Sequence, residues 1–242
     1  GSQDKTVDLL KSSSFFSDKR FQFVFHEKNI GKGAAIRSAI PCIEGEYTII
    51  QDADLEYETS DIVSLLEYAE KKEKQVIYGS RNIKKDGKRG TFFFYWGGRC
   101  VTWFSNILFK QKLTDEATCY KLFKSNLLKS FPLRCERFEF CPEVTAYTSL
   151  EGIEIDELPI TYNPRDKAHG KKISWRDGVE ALWTLLKIKC RTRPDFIIAS
   201  LVGLLVFFVY FSTWSGFFMG YELETAQSGE KLLKGVYDVR RD

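Results

Sequence analysis

Between residues 21 and 80, short apolar runs alternate with stretches of helical spacing, and this alternation constrains the fold more than any other feature. Phe21–Phe25 reads as a strand, Gly33–Ile40 as the start of a helix, and Tyr47–Ile50 as a second strand. Asp61–Lys71 places Ile62, Leu65, Leu66 and Ala69 on one amphipathic face, and Val76–Tyr78 reads as a third strand. Strands separated by helices of these lengths make parallel βαβ units, an α/β architecture whose sheet is covered on both faces. Ligands of such sheets bind beyond the carboxyl ends of the strands, so the chemistry is expected just after each apolar run.

The sharpest local signal stands at such a position. In Ile49-Ile50-Gln51-Asp52-Ala53-Asp54, two carboxylates at spacing i, i+2 follow an apolar run, so both can project to the same side. Asp52 and Asp54 can then offer oxygen ligands to Mg²⁺ or Mn²⁺, with phosphate oxygens and water completing the shell. Asp-x-Asp alone is common, and a solvated turn fits the same residues. Asn29-Ile30-Gly31-Lys32-Gly33-Ala34-Ala35 joins a strand to a helix, and its glycines could leave helix N–H groups free for an anion. A plain helix N-terminus fits it equally, and the spacing is not that of a Walker loop. Arg81 follows the third strand. Arg165 and Lys171 flank a loop rich in Pro, Gly and charge, which could close over a bound pyrophosphate or simply be solvated.

Charge and cysteine usage narrow the class. The net charge of the 242 residues is only +3, with no concentrated basic face, which argues against a dedicated nucleic-acid binder. The six cysteines form no C-x-x-C pair and there are only two His, so a zinc site is not expected and the thiols read as reduced and intracellular. The chain begins at Gly1, its one methionine is Met219 and no signal peptide is visible, so it is expected to start inside a longer protein.

The C-terminal part of the chain points to a membrane, and one earlier segment allows it. The aromatic segment 92–109 fits a core helix or one lying in the membrane interface, where Trp and Tyr are favoured. Ser174–Lys189 reads as a helix with Val179, Leu182, Trp183 and Leu186 on one side. Lys187, Lys189, Arg191 and Arg193 then precede an uncharged run from Phe196 to Tyr221. As a helix that run would reach roughly 39 Å, more than the ~30 Å of a hydrocarbon core. By the positive-inside rule the preceding domain faces the cytoplasm. The expected organisation is a domain over residues 1–189, a basic flank and transmembrane helix over 190–221, and a polar tail over 222–242.

Taken in order, these segments resemble family-two glycosyltransferases of the polyprenyl-phosphate (dolichyl-phosphate) mannose synthase group. Gly1-Ser2-Gln3-Asp4-Lys5-Thr6 is similar to the second half of that family's Asp-Asp-Gly-Ser-x-Asp-x-Thr signature. The likeness continues through Asn29–Arg37, Gln51–Tyr57, Tyr78–Arg81, Leu113–Lys121, Phe140–Val144, Glu157–Tyr162 and Gly170–Gly178. It implies a GT-A fold, here without its N-terminal strand, and inversion at the anomeric carbon. It implies donor contacts at Asp4, Lys32, Asp52, Ala53, Asp54, Arg81, Arg165 and Lys171, a divalent metal on Asp52 and Asp54, and Asp115 as the catalytic carboxylate. The implied partners are a nucleotide-sugar donor, a polyprenyl phosphate acceptor and a membrane. Transfer to a saccharide or another glycoconjugate, and a non-catalytic degenerate homologue, are the rival readings.

Overall fold

The computed structural model describes residues 1–84, 92–164, 174–200, 202–211, 213 and 214. The elements run α1 (Thr6–Ser12), α2 (Lys32–Ala39), β1 (Tyr47–Ile49), α3 (Ser60–Lys71), β2 (Val76–Ser80), α4 (Phe92–Phe109), β3 (Lys121–Lys124), α5 (Ser125–Ser130), α6 (Phe140–Leu150), β4 (Asp156–Pro159) and α7 (Trp175–Thr192). The chain divides into two compact units, Gly1–Lys189 and Cys190–Asp242.

The sheet is mixed, in the order β1-β3-β2-β4. β3 runs antiparallel to both β1 and β2, while β4 is parallel to β2. Three strands therefore share a direction and β3 is inserted against them. Leu122 faces Ile49 on one side and Ile77 on the other, so the apolar β3 fills the gap that consecutive βαβ units would have closed. This insertion sets the site: the carboxyl ends of β1, β2 and β4 and the amino end of β3 all lie at one edge.

All five residues of β2 are buried, as suits an interior strand. α3 covers the sheet with the face its spacing foretold: Leu65 and Ala69 are fully buried and Ile62 packs against the core. Phe21–Phe25 is not a strand. Among the described residues no strand pairs with it: the Phe21 N–H closes a turn onto the Asp18 carbonyl at 3.0 Å, and the rings join an aromatic cluster, with Phe15–Phe21 centroids 5.1 Å apart and Phe16–Phe23 5.2 Å. Apolar alternation gave the right surface but a ladder needs a partner edge.

α4 and α7 each bury one face. On α4 it is Val101, Thr102, Ser105, Leu108 and Phe109. On α7 it is Ala181, Thr184, Leu185 and Ile188, not the expected row: Val179 and Trp183 are exposed, and Leu182 and Leu186 only half-buried. α7 is apolar on more than one side, and the compact Ala181–Leu185–Ile188 face wins the core because it lets the helix approach closely. Beyond it, Pro194–Phe211 is the one helix among the described residues long and apolar enough to cross a membrane, with mean hydropathy 2.1 and no buried residue. Residues 215–221 of the expected span lie outside the described residues.

Leu65→Ala removes a side chain with no exposed surface, so it should destabilise the domain by about 2–5 kcal/mol. Urea unfolding of the two proteins checks this, and a change below half a kcal/mol would contradict the assigned core.

Candidate active site

Asp52 lies three residues beyond the end of β1. Its Oδ2 accepts a hydrogen bond from Lys32 Nζ at 2.6 Å, and the same ammonium lies 3.4 Å from Cys119 Sγ. The Asn29–Ala35 segment makes this contact possible, by a different route from an amide cradle. Gly31 sits at φ +123°, and a Cβ on Gly31 or Gly33 would come within 2.5 Å of the Glu136 or Cys135 carbonyl oxygen. The chain thus closes tightly against residues 135–137, and the Gly33 and Ala34 N–H groups donate to the Arg137 and Glu136 carbonyls. Those donors are spent inside the protein, so of the two readings the plain helix N-terminus holds, and the segment delivers the Lys32 side chain. Burial opposes the Lys32 charge, but the Asp52 carboxylate that accepts its hydrogen bond helps hold its pKa above the ordinary lysine value.

Ala53 is exposed between half-buried Asp52 and Asp54. Asp54 Oδ1 accepts the Glu56 N–H at 3.2 Å, folding the chain back through Leu55, which holds φ +59° while 88% exposed. A branched side chain in left-handed backbone costs of order 1–3 kcal/mol, a strain of the kind that collects at binding sites. Asp52 and Asp54 are hard oxygen donors and suit Mg²⁺ or Mn²⁺. The Lys32 ammonium already shows that Asp52 accepts a cation. Among the described residues no group of three His, Cys, Asp or Glu could hold a metal by itself, so an ion here needs oxygens from a ligand.

Arg81 lies just beyond β2 and is committed to Asp115. Its Nε donates to Oδ2 and its Nη2 to Oδ1, both at 2.7 Å, and its backbone N–H reaches Oδ2 at 2.9 Å. Asp115 is 2% exposed. Such a fork-to-carboxylate pair is both strong and directional. Burial works against the Arg81 charge, and the facing Asp115 reverses that and raises its pKa well above the usual value. The guanidinium also lies 5.3 Å over the Tyr162 ring.

The Asp115 segment is fixed by a residue the sequence reading gave no role. Glu157 of β4 accepts the Thr114 and Asp115 N–H groups at 2.6 and 2.9 Å. Burial, first among the causes, raises the Glu157 pKa. Its signal was its place in the Glu-Leu-Pro run at a strand, but a partner 42 positions away cannot be seen locally. Tyr57 ties the two ion pairs together: its hydroxyl accepts the Cys119 N–H at 3.1 Å and its ring packs against Tyr120 and Tyr162. Tyr162 in turn donates to Glu56 Oε2 at 3.0 Å.

Asp4 is exposed and accepts hydrogen bonds from the Thr6 N–H and hydroxyl at the start of α1. Arg165 and Lys171 lie outside the described residues.

Burial pushes the Cys119 thiol up to about 12, so it stays protonated through the neutral range. Since only the thiolate reacts, iodoacetamide at pH 8 should label exposed Cys42 and Cys100 and spare Cys119. Peptide mapping reads this; rapid labelling of Cys119 would contradict its enclosed setting beside Lys32.

Residues 1–131 match the family model described as glycosyl transferase family 2. Dodecaprenyl-phosphate galacturonate synthase of Rhizobium johnstonii is 23% identical over 204 residues, covering 83% of this chain and 59% of that protein. Dolichyl-phosphate beta-glucosyltransferase of Trichomonas vaginalis is 25% identical over 202 residues, covering 78% and 58%. The chain thus spans less than two thirds of the length of these curated relatives. The crystal structure of glucosyl-3-phosphoglycerate synthase from Mycobacterium tuberculosis, in complex with Mn²⁺, UDP-glucose and phosphoglyceric acid, superposes with a TM-score of 0.53 at 15% identity. It covers 78% of this chain and 66% of that one, a likeness of fold.

Proposed function

From the premise that this chain belongs to glycosyl transferase family 2, we propose that it transfers a mannose- or glucose-type sugar from a nucleotide donor to a polyprenyl phosphate, at the cytoplasmic face of a membrane. The observation that carries this reading is the pair of cation–carboxylate contacts, Lys32–Asp52 and Arg81–Asp115, at one edge of the sheet. The polyprenyl-phosphate sugar transferases among the relatives support the acceptor, and the Mn²⁺ and UDP-glucose of the structural neighbour support a metal and a nucleotide sugar. The helix Pro194–Phe211 supports attachment to the membrane, with the basic residues before it on the cytoplasmic side.

Asp52 and Asp54 would hold Mg²⁺ or Mn²⁺, which when bound offsets charge gathering on the departing nucleoside diphosphate. Lys32, fixed beside Asp52, adds a cation that can follow the same diphosphate, and Arg165 and Lys171 would add two more. The acceptor phosphate oxygen attacks the anomeric carbon, the bond to the nucleoside diphosphate breaks, and configuration inverts. A lipid monophosphate has a second pKa of about 6 and is largely dianionic at neutral pH. It has no proton to lose on attack. Asp115 suits that chemistry, because both its oxygens are taken by Arg81 and it is poorly placed to act as a base. Its work is to hold Arg81 rigid beside Tyr162, facing the reacting phosphates.

The test is a panel of nucleotide sugars incubated with polyprenyl phosphate, with Mg²⁺, Mn²⁺ or chelator, using membranes that contain the protein. Product released by mild acid identifies a sugar phosphodiester; acid-stable product would favour a saccharide acceptor and sink this reading. Asp52→Asn should cut transfer at least ~100-fold, as loss of charge stabilisation worth several kcal/mol demands. General-base catalysis contributes about 10²–10⁴-fold, so Asp115→Asn should lose clearly less than ~1000-fold on a phosphate acceptor. A larger loss with unchanged folding would restore Asp115 as a base.

A further inference from the structure

A buried tyrosine reaches the loop that carries Asp52 and Asp54, and the mechanism above gives it no task. β1 pairs with β3 as far as Ile49 and Leu122, and the Ile50 N–H still lies 3.4 Å from the Lys121 carbonyl. Beyond that bond residues 51–55 run outside any strand, so the ladder does not set the separation of the two carboxylates. Tyr120 stands just before β3, fully buried, and its carbonyl accepts the Gly79 N–H at 2.8 Å. Its hydroxyl reaches across to the loop. The oxygen lies 2.5 Å from Gln51 Oε1 and 3.2 Å from the Glu58 carbonyl, so one phenol meets both ends of the 51–58 segment.

Gln51 carries that anchor on to Asp52. Its Nε2 donates to the Asp52 carbonyl at 2.6 Å. A carbonyl can only accept, so the nitrogen must face it, and Oε1 is left for a donor, which the Tyr120 hydroxyl supplies. An exposed glutamine free in water samples several rotamers, but here both ends of the amide are engaged. The grip on the Asp52 carbonyl restrains the peptide that joins Asp52 to Ala53, and the rotation of that peptide decides where Asp54 lies relative to Asp52. Tyr57, from the same loop, packs its ring on Tyr120 with centroids 4.7 Å apart and keeps the phenol in place.

We propose that Tyr120 is a positioning residue for the divalent ion: its hydroxyl fixes the Gln51 amide, and the amide fixes the spacing of the Asp52 and Asp54 carboxylates. This rests on the metal reading above and deepens it. Neither residue needs to touch the ion. Partners that steer a metal's ligands from behind are commonly worth about 10–100-fold in affinity.

The experiment titrates Mn²⁺ into the full chain in detergent micelles with UDP, and separately GDP, present; water-proton relaxation reports the protein-bound ion above the nucleotide-bound one. Tyr120→Phe keeps the ring and its packing on Tyr57 and removes only the hydroxyl. Gln51→Met changes an exposed side chain, so its reading does not depend on how the buried variant folds. Each single variant should weaken Mn²⁺ binding about 10-fold, and the double variant also about 10-fold, because both cut the same linkage. The urea midpoint of Gln51→Met should match that of the wild type, which separates positioning from a merely structural role. Wild-type affinity in either single variant overturns the proposal, and so does a double variant weakened ~100-fold, the product of two independent losses. Failure of the wild type to take up Mn²⁺ with either nucleotide is a different result, which removes the metal reading itself and this inference with it.

Discussion

A carboxylate taken out of water must find a cation or hydrogen-bond donors, and at the carboxyl edge of this sheet that requirement organises the residues nearby. Asp115 is almost fully enclosed and meets it with Arg81, through two side-chain bonds and one backbone bond. Asp52 meets it with Lys32. Removing Arg81 would leave the buried Asp115 charge uncompensated, at about 3–5 kcal/mol, so the elements that carry this pair cannot drift independently. The Gly31–Gly33 approach to residues 135–137, the Glu157 clamp on the Asp115 amides and the Tyr57 bridge to Cys119 all hold the charges in register.

The same constraint separates the chemistry of the two aspartates. Asp52 is half-buried and bound by the Lys32 ammonium, a partner that on the proposed reading a divalent ion and a diphosphate would displace or join. Asp115 sits deep and is locked by a planar fork, which favours orientation over proton transfer. Behind it the core stays polar in a controlled way: fully buried Lys121 donates to the Glu116 carbonyl and lies 3.7 Å over the Tyr78 ring. A desolvated ammonium on an aromatic face is a stable arrangement when its hydrogen bond is also made.

Much of this was legible in the sequence, and the line between what was and was not is physical. Leu65 and Ala69 announced their burial because a helix face repeats locally. Asp52, Asp54 and Arg81 stood out as charges following apolar runs, whereas Asp115 entered only through the family resemblance. What could not be read were the partners. The insertion of β3 between β1 and β2 depends on Leu122 meeting Ile49 and Ile77, both more than forty positions away. The Gly33 and Ala34 amides looked open to an anion because the carbonyls that take them come from residues 136 and 137. Phe21–Phe25 has the alternation of a strand but no edge to pair with among the described residues. Segment 92–109 was visible as aromatic and 174–189 as a helix, yet only burial showed which face of each the core had claimed.

The account stands on Asp52 and Asp54 holding a divalent ion jointly with the diphosphate of a nucleotide. Electron paramagnetic resonance of Mn²⁺ measures this without reference to turnover. The free-ion signal should fall when the wild-type protein and a nucleoside diphosphate are both present, and the Asp52→Asn, Asp54→Asn double variant should leave the signal at the level set by nucleotide alone. Equal loss of signal with wild type and double variant would contradict the metal assignment and the reading built on it.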